Sequence, residues 1–245
     1  WTMLVFMARD NDLSSYAQQH IEQMMAINHD EVNLLVFDCH SFLGKKVAQK
    51  ILITPGCATV LETLPGHDGG DPASFEYACR WALQEYPSKR FGVMVWSHGS
   101  GMLPGSPYVH ANYRTRGFCY DDVTGHCLDD IKIMQAFEKI MPMRKGKKID
   151  LFIFLACFMA DIEIMAALAP YVSYAVASQS GMPAKGFPYA QSFGLFKKPY
   201  VSTENIVVNI VRAYRDYYRS YGSLGTTLTG VDLTVFDNLL RAIDT

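Results

Sequence analysis

Four nearly pure apolar runs constrain this chain more than any other feature. They are Thr2–Ala8 (TMLVFMA), Val32–Asp38 (VNLLVFD), Phe91–Trp96 (FGVMVW) and Leu151–Leu155 (LFIFL). Each has the length of a strand and lacks the alternation of a strand with one wet face, so each must be covered on both sides. Stretches of helical character separate them. Asp12–Ala26 places Leu13, Tyr16, Ala17, His20, Ile21 and Met24 near one face. Asp71-Pro72 reads as the cap and first turn of a helix running to about Tyr86. Leu128–Met141, Asp161–Leu168 and Thr203–Tyr221 read as further helices, the last capped by Thr203 and stopped by Gly222. Val47–Thr54 and Ala58–Thr63 suggest a hairpin around Pro55-Gly56, and Val172–Ser178 and Thr227–Asp232 suggest strands. This rhythm predicts an α/β fold, a mostly parallel central sheet with helices on both faces in three layers. With 245 residues, 49% of them apolar, one domain over 1–245 has enough core.

The same numbers exclude several functions. The formal charge is −2 with both signs scattered, and no basic stripe suits a nucleic acid. No apolar run approaches the roughly 20 residues of a membrane-spanning helix. The six cysteines lack the paired spacing of a zinc site, and disulfides are optional at this size. Asp121-Asp122 and Asp129-Asp130 are acidic pairs whose spacing does not match an EF-hand, so metal binding stays open. The chain enters a strand at Trp1 and stops inside a helix at its last residues, so both ends read as cut.

Two strand ends carry chemistry. Trp96-Ser97-His98-Gly99-Ser100-Gly101 follows one buried run and Leu155-Ala156-Cys157-Phe158-Met159-Ala160 follows another. Open α/β sheets build their sites at the carboxyl ends of their strands. A cysteine and a histidine there suit a thiol nucleophile and its proton partner. Cys157, ahead of a helix opening near Asp161, is expected to have its pKa lowered by the helix dipole. The amides of Gly99 and Cys157 are expected to face a developing oxyanion. The residues require no third acid, and Asp10-Asn11-Asp12 reads as a helix cap. Each reactive residue also has a plain structural reading, a buried core cysteine and a structural histidine.

Further pieces, in order, complete a pattern. They are Asp10-Asn11-Asp12-Leu13, Gly117-Phe118 leading to Asp121-Asp122, Ala177-Ser178-Gln179 through Gly186-Phe187-Pro188-Tyr189, and Thr226 to Leu233. With the two strand ends, they make the chain resemble the clostripain family of cysteine peptidases, over nearly its full length. The resemblance implies a caspase-like sandwich and peptide-bond cleavage through a thioester, with His98 and Cys157 as the dyad. It implies a peptide or protein substrate, an exported or cell-surface bacterial setting, and dependence on calcium in at least one member. The residues themselves require no cofactor.

One departure matters. The family motif has an aspartate two residues before the nucleophile, associated with a preference for Arg or Lys before the scissile bond. Here that position is Leu155. Ser178, Gln179 and Lys185 are expected to wall the same pocket, and they add no acid. A basic substrate residue would be left unpaired. Family self-cleavage falls in the loop after the histidine, where Arg114 and Arg116 are the basic candidates. Leu155 also motivates an alternative, an inactive peptide-binding or scaffold protein with the same fold. A serine hydrolase is disfavoured because no G-x-S-x-G elbow occurs.

Overall fold

A computed structural model describes residues 1–27, 31–101, 116–222 and 225–243. Within them one eight-stranded sheet runs in the order β4-β3-β2-β1-β5-β6-β7-β8. Its strands are β1 (Thr2–Ala8), β2 (Asn33–Phe42), β3 (Lys45–Thr54), β4 (Cys57–Pro65), β5 (Phe91–Trp96), β6 (Leu151–Leu155), β7 (Tyr174–Ala177) and β8 (Thr229–Asp232). The middle strands β2, β1, β5, β6 and β7 pair in parallel. β3, β4 and β8 add antiparallel edges. The mixed sheet with helices agrees with the fold class read from the sequence.

Alternation along β1 assigns the layers. Leu4, Phe6 and Ala8 point to one side. There they meet α2 (Pro72–Glu85), α3 (Asp130–Ile140) and α4 (Ile162–Leu168) through Phe75, Phe137 and Leu168. Met3, Val5 and Met7 point to the other side. There they meet α1 (Ala17–Met25), α5 (Tyr189–Phe193) and α6 (Thr203–Ser220) through Ile21, Phe193 and Ile210. The all-apolar strand runs follow from this: both pleat faces lie under helices. A last helix, α7 (Phe236–Ile243), joins the first face through Phe236.

Several elements differ from the sequence reading. β2 runs on to Phe42 and turns into β3 through Leu43 and Gly44, at φ 49° and 74°. Two consecutive left-handed residues suit a tight hairpin, so this turn joins the one expected at Pro55-Gly56. The Asp12–Ala26 helix divides into a 3-10 turn (Asp12–Tyr16) and α1. Ser202, not Thr203, caps α6, its side chain accepting from the Asn205 amide. Asp71 caps α2 as the sequence suggests, and Asp161, read as the first residue of its helix, caps α4 instead.

The carboxyl end of β1 is tied to β2 by a charged clamp. Arg9 donates through Nε and Nη2 to the two oxygens of Asp38, at 2.6 and 2.9 Å. Burial alone would raise the Asp38 pKa, but hydrogen bonds from His40 and Arg9 outweigh it and hold the carboxyl below its ordinary range. This contribution to stability is full above the unfolded carboxyl value of about 3.9 and is lost as pH falls through the depressed folded value. Arg9→Met strands the buried charge. We expect it to cost about 3 kcal/mol in urea unfolding at pH 7, the lower end for a broken buried pair, because the Arg9 side chain is 23% exposed. A loss under about 1 kcal/mol would rank the clamp with surface ion pairs.

Candidate active site

The chain moves left from β1 to β2 and later returns to the right of β1 with β5. The strand order therefore reverses between β1 and β5, and a crevice opens at their carboxyl ends. Register then places the reactive residues. Trp96 of β5 pairs with Met7 of β1 on one side and Leu155 of β6 on the other. His98 lies two residues beyond Trp96, and Cys157 two residues beyond Leu155. The two occupy equivalent positions on neighbouring strands and line one cavity.

Cys157 is partly buried. Its Sγ accepts the Met182 amide N–H at 3.1 Å. Phe158 follows at φ 62°, an unusual conformation for a bulky side chain. Its amide donates to the Ser180 carbonyl at 3.2 Å. Such strain, about 1–2 kcal/mol, collects at functional sites. The sequence reading expected a thiol pKa lowered by a helix dipole, and the structure reverses this. Burial raises it, and the Met182 amide only partly offsets the rise. The amino end of α4 starts at Ile162 and is already capped by Asp161, which accepts from the Ile164 amide. In the free protein Cys157 is therefore a thiol at neutral pH. Its alkylation by iodoacetamide is expected to be slow at pH 7 and to rise with a midpoint above about 8.5, the unperturbed value. A midpoint below about 7.5, in the activated range, would contradict this.

His98 has an unforeseen neighbour. Its Nε2 lies 2.5 Å from Asp12 Oδ1. The capping role expected of the 10–12 run belongs to Asn11, whose side chain accepts from the Leu13 amide. Asn11 Nδ2 also donates to the Ala8 and Tyr120 carbonyls, at 3.0 and 2.8 Å, and fixes the turn out of β1. This releases Asp12 toward the end of β5. Ser97 anchors the β5 side, its hydroxyl donating to the Ala8 carbonyl at 2.8 Å.

Gly99 makes the approach of the two strand ends possible. A Cβ there would sit 2.6 Å from the Cys157 carbonyl oxygen and 2.9 Å from the Ala156 Cβ. Only a residue without a side chain leaves room for the Cys157 backbone carbonyl at this point.

The cavity holds about 260 Å³. Besides the reactive pair it is walled by Leu13, His20, Trp96, Leu155, Met182 and Phe187. His20 is buried and neutral: burial pulls its pKa down to about 4. The Ala184 carbonyl, 3.2 Å from Nε2, can only accept, so Nε2 carries the proton and Nδ1 takes the Tyr189 hydroxyl at 2.8 Å. Leu155 is the one predicted pocket residue on this wall. Ser178 turns away, fully buried and hydrogen-bonded to Thr227 and Ser180. Gln179 borders a separate depression with Tyr214 and Thr227. Lys185 is not on the wall either, although its neighbours Ala184 and Gly186 are, and its carbonyl accepts from Gln19. The path of the loop after β7 decides these placements, and residue order alone did not reveal it. Arg116 is exposed. Arg114 lies outside the described residues.

Asp10 and Asp121 both pair with Lys46, the first at 2.5 Å. Asp68 pairs with His126 at 2.7 Å. Asp129 caps α3. Among the described residues no group of His, Cys, Asp and Glu is disposed to hold a metal. No described helix is long and apolar enough to cross a membrane.

The sequence model of the clostripain family matches residues 5–245. Solved structures share the fold. A secreted cysteine protease of Bacteroides thetaiotaomicron, iotapain, is 20% identical, with 98% of this chain and 68% of that one covered and a TM-score of 0.78. A structure of a secreted cysteine protease from the same organism with an irreversible peptide inhibitor gives 22% identity, 98% and 68% coverage and a TM-score of 0.76. An inactive protease zymogen of Parabacteroides distasonis gives 22%, 98% and 64%, and 0.70. At these identities the likeness establishes the fold. No curated protein matches significantly.

Proposed function

We propose that this chain, which belongs to the clostripain family of cysteine peptidases, cleaves peptide bonds with Cys157 as nucleophile and His98 as its proton partner. The observation that carries this reading is the register-equivalent placement of the two residues on one cavity. The Cys157 proton passes to His98 as the sulfur attacks the scissile carbonyl carbon. With Nε2 engaged by Asp12, the receiving nitrogen is Nδ1. The C=O electron pair moves onto oxygen, where the Gly99 and Cys157 amides stabilise it. The pair then returns, the C–N bond breaks, and His98 gives its proton to the leaving amine. Water, deprotonated by His98, hydrolyses the thioester and restores the thiol.

The raised thiol pKa makes the base essential, because little thiolate exists before substrate arrives. Asp12 acts through His98, holding the ring in place. Its side chain is 62% exposed, so solvent screens the effect. Asp12→Asn is expected to lower kcat about 10-fold, or about 1.4 kcal/mol, with KM unchanged. An unchanged kcat would remove Asp12 from the mechanism. The dyad itself is tested by His98→Ala, read as kcat/KM on a mixed peptide library by mass spectrometry. Cleavage at the wild-type rate would overturn the reading.

The substrate is a peptide or protein, as the relative bound to a peptide inhibitor suggests. Two relatives are described as secreted, and the same compartment is proposed here. A preference for Arg or Lys before the scissile bond is not proposed. Without it, the bond after Arg116 is a poor self-cleavage site.

A further inference from the structure

We infer that the cavity beside Cys157 takes an uncharged, apolar side chain of the size of leucine, methionine or phenylalanine as the residue before the scissile bond. This rests on the peptidase reading above and commits it to one substrate class.

Leu155 and Trp96 are paired neighbours on β6 and β5, and both belong to the core on the α1, α5 and α6 side. They form a continuous apolar wall directly below the reactive pair. Phe187 and Met182, from the loop after β7, face the same space. His20 packs edge-on against Trp96, with ring centroids 5.0 Å apart. Both its nitrogens are spent on Tyr189 and Ala184, so it offers a flat, neutral surface.

Charge excludes the alternatives. No Asp, Glu, Lys or Arg is among the described lining residues. A guanidinium or ammonium entering here would lose its water and meet no carboxylate among the described lining residues, and a carboxylate would meet no cation among them. Both are costly in an apolar site. The volume adds a size limit. At about 260 Å³ the cavity falls just below the roughly 300 Å³ at which small-molecule pockets begin, a scale that fits one side chain. A small side chain such as alanine would leave much of it unfilled. Each methylene in an apolar pocket is worth roughly 10-fold or more in discrimination.

The test uses two peptide series differing only in the residue before the reacting carbon: Leu, Met, Phe, Ala, Arg, Lys or Glu. The first series has cleavable amides and reads kcat/KM. The second ends in aldehydes and reads the concentration that protects Cys157 from iodoacetamide, measured by mass spectrometry. Leu, Met or Phe is expected to lead Ala by at least about 10-fold and Arg, Lys and Glu by at least about 100-fold, in both series. Leu155→Asp is expected to move the Arg-to-Leu ratio at least about 10-fold toward Arg. Should that variant misfold, the wild-type series decides alone. Equal or better use of Arg, Lys or Glu by the wild type overturns the inference. So does protection by none of the aldehydes. Apolar-first protection without any turnover supports the pocket and overturns the peptidase reading instead.

Discussion

Cys157→Ala is expected to lower kcat/KM for peptide cleavage by on the order of 10⁴-fold or more, the scale seen when a covalent nucleophile is removed. The fold should persist. Cys157 is a neutral, partly buried thiol in the free protein, and Met182 is its hydrogen-bond partner, its amide donating to Sγ at 3.1 Å and its carbonyl accepting weakly from the thiol at 3.8 Å. Losing one such bond costs about 1 kcal/mol, which a core built on both faces of the sheet tolerates. The two effects must be read together, as kcat/KM and as a thermal unfolding midpoint. A variant that loses activity because it unfolds would say nothing about the nucleophile. A folded variant with more than about a tenth of wild-type activity, well outside the expected range, would place the nucleophile elsewhere. The other cysteines offer little competition. Cys39, Cys79, Cys119 and Cys127 are buried, and Cys57 is exposed at the start of edge strand β4.

Gly99→Ala is expected to cost about 100-fold in kcat without touching a reactive side chain. The new Cβ would meet the Cys157 carbonyl oxygen at 2.6 Å, the Ala156 Cβ at 2.9 Å and the Met159 sulfur at 3.0 Å. The sulfur can give way, but the nearest atom is backbone, immediately at the nucleophile. Relief therefore requires the ends of β5 and β6 to separate. A displacement of the order of 1 Å at reacting groups is worth about that factor. Single-turnover kinetics with saturating peptide would measure it. A kcat within about threefold of wild type would mean that the strand ends yield without moving the chemistry.

Much of this was legible in the chain because burial on both faces leaves a plain signal. The four apolar runs became β1, β2, β5 and β6, and the strand ends carrying His98 and Cys157 fell side by side on the sheet. Leu155 was read as a pocket residue through the family resemblance, which places a pocket residue two positions before Cys157, and it lines the cavity. Asp12 was not legible, since it lies 86 residues from His98 and meets it only because β5 returns beside β1. Its place in a capping sequence concealed it further, until Asn11 took the cap. The thiol pKa was misread for a similar reason. Proximity to a helix start was visible, but that helix end is spent on Asp161. Ser178, Gln179 and Lys185 depended on the path of an irregular loop, which side-chain periodicity does not encode. The Thr203 cap was misplaced by one residue because its neighbour Ser202 caps equally well.

The most direct test of the central claim is to trap the acyl-enzyme. The protein would be mixed with an excess of a peptide ester carrying leucine at the reacting carbonyl, quenched in acid within milliseconds, and analysed by mass spectrometry. The prediction is a mass increase equal to the acyl group, located on Cys157, removed by hydroxylamine and absent from Cys157→Ala. Ester turnover with the acyl group on another residue, or persisting in Cys157→Ala, would contradict the assignment of Cys157 as the nucleophile.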